Sequence, residues 1–118
     1  MTFMRRLFGD SWSEDGPAAD GRQLTELVES GVDLTAPRPV DFDLTFRDER
    51  AARQTVALLA GLGGDLRIGA AGGLEPRWLV RLTLPMAITA ERLAAMRTRL
   101  EELAAERGGR YEGWDAAS

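Results

Sequence analysis

An α+β fold, in which an antiparallel sheet carries two helices on one face and a short helix precedes it, is predicted by three features of this 118-residue sequence. Val40-Asp41-Phe42-Asp43-Leu44-Thr45-Phe46 alternates apolar and polar residues without an error, the pattern of a strand with one buried face. Two later segments carry apolar residues at helical spacing, each opened by a capping residue and closed by glycine. Between them lie two further alternating runs joined by a Gly- and Pro-containing connection, as in a hairpin. Hydrophobic residues make up 44% of the chain and charged residues 29%, so one domain with an ordinary core is expected rather than a disordered segment.

In chain order, residues 1–20 read as a flexible N-terminal arm and residues 21–118 as the domain. Within the arm, Phe3, Met4, Leu7 and Phe8 stand at helical spacing around Arg5 and Arg6, which suits a short amphipathic anchor as well as a frayed terminus. From Arg22 to Glu29, Leu24, Leu27 and Val28 predict a short helix that Gly31 stops. Pro37 and Pro39 then enforce an extended connection into the strand of residues 40–46. Asp48 is placed to cap a helix from Glu49 to Leu62, whose apolar face is Ala52, Val56, Leu59 and Ala60, with Gly61, Gly63 and Gly64 as the stop.

Asp65 to Ala70 alternates more weakly, and after the connection Ala71 to Pro76 comes the strand Arg77 to Leu84. There Trp78, Val80, Leu82 and Leu84 point one way, and Arg77, Leu79, Arg81 and Thr83 the other. Thr89 caps the next helix and Ile88 is placed to touch Leu93 as a hydrophobic staple. Leu93, Met96, Leu100 and Leu103 form its apolar stripe, Gly108 and Gly109 end it, and Arg110 to Trp114 is a short last strand. Past the first helix the order is βαββαβ, which suits a ferredoxin-like sandwich. Its core would hold Val40, Phe42, Leu44, Phe46, Trp78, Val80 and Leu82 beneath the two long helices.

Composition removes most catalytic chemistry. With Cys 0 and His 0, no disulfide, thiolate or imidazole metal site, cysteine nucleophile or Ser-His-Asp triad can form. All 15 basic residues are Arg and 19 acids outweigh them, so nonspecific nucleic-acid binding is disfavoured. No stretch has the roughly 20 apolar residues of a membrane span, and the start lacks an apolar signal core, so a cytoplasmic location is expected.

On the open sheet face, Asp41 and Asp43 would share a surface with Arg77 and Arg81. A solvated cross-strand ladder is the preferred reading, because exposed ion pairs are common and weak. Two carboxylates on one strand would serve as acid and base only if burial drove their pKa values apart, and nearby Arg would lower both. No Asp-rich loop suits Mg²⁺ or Ca²⁺, and no cofactor is implied. The face offers acids and no aromatic platform, so direct RNA readout is not expected. Gly61-Leu62-Gly63-Gly64 follows a helix rather than joining strand to helix, so it is helix-end punctuation and not a phosphate cradle.

The run Gly108-Gly109-Arg110-Tyr111-Glu112-Gly113-Trp114-Asp115-Ala116, directly after a Leu-rich helix, resembles the closing signature of the RraB-type regulators of ribonuclease E activity. Leu24 to Leu34, Pro37-Arg38-Pro39-Val40 and Phe46-Arg47-Asp48 are similar to that family in the same order, over about residues 22–116. The resemblance implies a ferredoxin-like domain that binds the endoribonuclease of the RNA degradation machinery and restrains it without catalysis. The best-known members continue into a long acidic tail after the Trp, whereas this chain stops at Ser118 and adds its own N-terminal arm. Tyr111 and Trp114 are amphipathic aromatics whose polar tips need partners, and Gly113 permits a bend between them. Either they face a protein partner, or Trp114 closes the core and Tyr111 pairs with a neighbouring strand. Candidate protein-contact residues are therefore Asp41, Asp43, Arg77, Arg81, Tyr111 and Trp114. Self-association through an edge strand or the open charged face, in a domain that binds a small ligand or a different protein partner, is the alternative function.

Overall fold

A computed structural model describes residues 16–116, apart from Glu75. The amphipathic N-terminal segment and most of the expected arm lie outside the described residues. The elements are α1 (Gly16–Glu29), β1 (Arg38–Phe46), α2 (Glu49–Leu59) with a 3₁₀ turn (Ala60–Leu62), β2 (Asp65–Ala71), β3 (Arg77–Met86), α3 (Ala90–Glu106) and β4 (Arg110–Ala116). All strand pairs are antiparallel and the sheet runs β2-β3-β1-β4. The α+β architecture expected from the sequence is present.

Local signals placed the helices well. The Asp48 side chain accepts from the Ala51 amide at 2.8 Å, and Thr89 Oγ1 accepts from the Arg92 amide at 3.1 Å. At the end of α1, Gly31 turns left-handed (φ 84°), its N–H bonding Val28 O and the Val32 N–H bonding Leu27 O. This double closure satisfies carbonyls that the last helical turn leaves without partners. The same closure ends α3, where Gly108 bonds Ala105 O and Gly109 bonds Ala104 O at 2.8 Å. Ala60 departs from expectation: it is exposed, and the inward face of α2 is Ala51, Ala52, Thr55 and Leu59.

The largest difference is the start of α1. The helix begins at Gly16 rather than near residue 22, and it carries Asp20 into a buried position. Pro17 in the first turn costs nothing, because amides there have no intrahelical acceptor.

The core forms where the alternation put it. Val40, Phe42, Leu44 and Phe46 of β1 are fully buried with Val80 and Leu82 of β3, Leu59 of α2, and Leu93 and Leu100 of α3. Trp78, Met96 and Leu103 pack around this cluster, as do Leu24 and Leu27 of α1. Residues of all three helices thus converge on one face of the sheet.

β4 is longer than expected and irregular. Its register against β1 pairs Asp43 with Gly113 but Leu44 with Tyr111, leaving Glu112 as an extra residue. Gly113 sits at φ 120°, a conformation side-chain-bearing residues rarely adopt. Tyr111 and Trp114 are three positions apart, which in a regular strand would put them on opposite faces. The extra residue cancels that offset. Both aromatics register with core-facing residues, Tyr111 opposite Leu44 and Trp114 opposite Phe42.

Gly109 is held for a different reason: a Cβ there would run into the Phe46 ring and lie 2.6 Å from Thr45 O. Gly109→Ala is expected to cost about 1–3 kcal/mol through overpacking. Gly61→Ala, with nothing within 4 Å of the added carbon, should stay within about 0.5 kcal/mol of the parent. Urea unfolding of the two variants checks the contrast.

Candidate protein-interaction surface

The second face of the sheet is built by the polar residues that alternate with the core. The register sets Asp43 against Arg81, Asp41 against Thr83 and Thr45 against Leu79. Arg81 donates to both Asp43 oxygens, from Nε at 2.8 Å and from Nη2 at 3.0 Å, in a two-pronged pair whose planar geometry a lysine could not supply. Thr83 Oγ1 donates to Asp41 Oδ1 at 2.6 Å. Thr45 Oγ1 donates to Glu112 Oε2 at 2.7 Å, so the bulge that turns both aromatics inward also brings Glu112 to Thr45.

The expected solvated ladder is corrected here. Asp43 is 0% exposed and Thr45 1%, and Glu112 is also buried. The pair opposite Asp43 is therefore a buried charge satisfied by a partly exposed one, rather than a surface ladder. The Asp43 hydrogen bonds raise the Arg81 pKa above its ordinary value against the opposing effect of burial, with the charges of Asp43, Asp41 and Asp115 adding to the rise. Arg77 lies farther along β3, opposite Ala71 of β2, so the register does not place it against either aspartate.

The closing aromatics sit at a second cluster, where α1, α3 and β4 meet. Trp114 is 1% exposed and donates from Nε1 to Asp20 Oδ1 at 2.8 Å. Arg97 of α3 donates to the same carboxylate from Nε at 3.0 Å and Nη2 at 2.8 Å, and its guanidinium lies 5.0 Å from the centre of the Tyr111 ring. Burial works against the Arg97 charge, yet the hydrogen bonds and charge of Asp20 leave its pKa above the ordinary value. Gln23 Nε2 adds a bond to Trp114 O at 2.8 Å. Beside it a groove of about 310 Å³ runs between α1 and the end of β4, lined by residues including Glu26, Leu27 and Asp115.

The structure thus joins Asp43 with Arg81, and Tyr111 with Trp114 through Arg97 and Asp20; it leaves Asp41 and Arg77 apart from each other. Reading the sequence missed Asp20, Arg97, Thr45 and Glu112. One signal called for an acceptor without identifying Asp20: a buried indole N–H needs one.

The fold and these clusters define a small α+β domain of four antiparallel strands and three helices whose polar side chains bind one another across elements. Over residues 18–116 the chain matches the family model of RraB, regulator of ribonuclease activity B. It belongs to that family, whose members are regulators of ribonuclease activity. A search among curated proteins found no match to the chain. No helix among the described residues is long and apolar enough to cross a membrane.

Arg81→Gln removes the charge facing a fully buried carboxylate, whereas Arg99→Gln changes an exposed residue of α3. The first is expected to cost roughly 1.5–3 kcal/mol, the range for hydrogen bonds to charged groups, and the second under about 0.5 kcal/mol. Chemical denaturation measures both.

Proposed function

We propose that this chain is a non-enzymatic regulator that binds an RNase E-type endoribonuclease in the cytoplasm and restrains it through protein contacts, using a ferredoxin-like domain. Membership of the ribonuclease-regulator family over residues 18–116 is the observation that carries the reading. The βαββαβ order with strand order β2-β3-β1-β4 supports the fold assignment. The chemistry agrees with regulation by contact. A chain with no His and no Cys leaves carboxylates as its main acid–base groups, and Asp43 is held by a two-pronged guanidinium pair.

The contact surface in this reading is the sheet face opposite the three described helices. Asp41, Arg77 and Arg81 keep part of their surface open and meet the partner. Asp43, at 0% exposed, orients Arg81. Tyr111 and Trp114 act at one remove by fixing β4 against the helices. A second reading, self-association of the domain, is favoured by the edge strand β2, which among the described residues pairs only with β3.

Calorimetric titration into the catalytic half of the RNase E-type enzyme from the same source, without RNA and at near-physiological salt, tests the leading reading. Saturable heat with defined stoichiometry is expected, weakened by Asp41→Asn and Arg77→Gln together. Absence of heat at several temperatures, with both proteins folded, overturns it.

A further inference from the structure

The two edges of the sheet are finished differently. At β4, the Gln23 amide already occupies Trp114 O, an acceptor that an added strand would need. At β2, no described strand lies beyond Asp65–Ala71. A free edge presents a row of backbone donors and acceptors that recognises another extended strand, and proteins commonly blunt it with charged side chains, Pro or a bulge. β2, DLRIGAA, has no Pro and an unbroken register with β3, and its two charges are of opposite sign.

The side chains of this edge say which strand it would accept. Asp65 and Arg67 stand two apart on one face, both exposed, and neither makes an ion pair or side-chain hydrogen bond among the described residues. On the element leading into the strand, Leu58 and Leu62 are 47% and 37% exposed. An acid and a base at i and i+2 on an edge are complementary to the same pair on a second strand running the opposite way.

We propose that the start of β2, Asp65 to Arg67, pairs antiparallel with the same three residues of a second copy of this chain, about a two-fold axis at Leu66. In that register each Asp65 faces the Arg67 of the other copy, giving two reciprocal ion pairs, and Leu66 meets Leu66 on the other face. The neighbouring registers lose this match. Centred on Arg67, the pairing sets Arg67 against Arg67; centred on Ile68, it sets Asp65 against Ala71 and Arg67 against Gly69. Pairing at β2 specifies the self-association reading and is independent of nuclease binding.

Sedimentation equilibrium of the full chain, from micromolar to near-millimolar concentration, tests it. A concentration-dependent dimer is expected. Asp65→Arg and Arg67→Asp should each weaken it roughly tenfold or more, because two attractions become two repulsions. The double variant Asp65→Arg/Arg67→Asp should return to within about threefold of the parent. Thermal melts confirm folding, and Arg67→Gln, expected to weaken the dimer by a smaller factor, serves if a charge reversal misfolds. A parent that stays monomeric throughout, a dimer indifferent to both single changes, or a double variant that fails to recover overturns the proposal.

Discussion

The Asp20 carboxylate is the group on which the arrangement of the domain turns. It receives the Trp114 indole N–H and two guanidinium donors of Arg97, so one side chain of α1 holds both β4 and α3. A buried carboxylate is costly unless its lone pairs are filled, and three donors fill this one. Consequences pass outward from it. Arg97, fixed by Asp20, lies over the Tyr111 ring; Tyr111 and Trp114 reach the same face only because Glu112 bulges; and Glu112 thereby meets Thr45 on the far face. The signature Tyr-Glu-Gly-Trp is in this sense a geometric device: two inward aromatics, one extra residue, and a glycine at φ 120° to turn the chain.

Much of this fold was legible in the sequence because its signals are local. The alternation of residues 40–46 put four side chains in the core, and Asp48, Thr89, Gly31 and Gly108 stand at helix ends because a cap or a left-handed glycine satisfies orphan backbone groups there. What stayed hidden depends on distant partners. Asp20 lies among Gly, Pro, Ala and Asp residues that read as linker, and nothing nearby says that an indole and a guanidinium from residues 114 and 97 converge on it. The burial of Asp43 and Thr45 was missed for a related reason. Alternation predicts a polar face, but whether that face is wet depends on what its side chains do to one another.

These placements separate the residues that shape the domain from those open to a partner. The aromatics of the closing Tyr-Glu-Gly-Trp run are occupied inside the structure, Trp114 in the core and Tyr111 beside Arg97. In the proposed reading, recognition falls to other surfaces, the flank of the sheet face and its edge at β2. The Tyr-Glu-Gly-Trp run accordingly specifies how β4 is seated in this chain.

A double-mutant cycle between Asp20→Ala and Trp114→Phe, read by urea unfolding, tests the central role of this carboxylate. Asp20→Ala removes the acceptor of the indole N–H and Trp114→Phe removes its donor, and residues sharing a network couple by about 0.5–3 kcal/mol. Each variant is expected to be destabilised, with a coupling within that range. Additive effects, or an Asp20→Ala protein as stable as the parent, would contradict the claim that this carboxylate joins α1, α3 and β4.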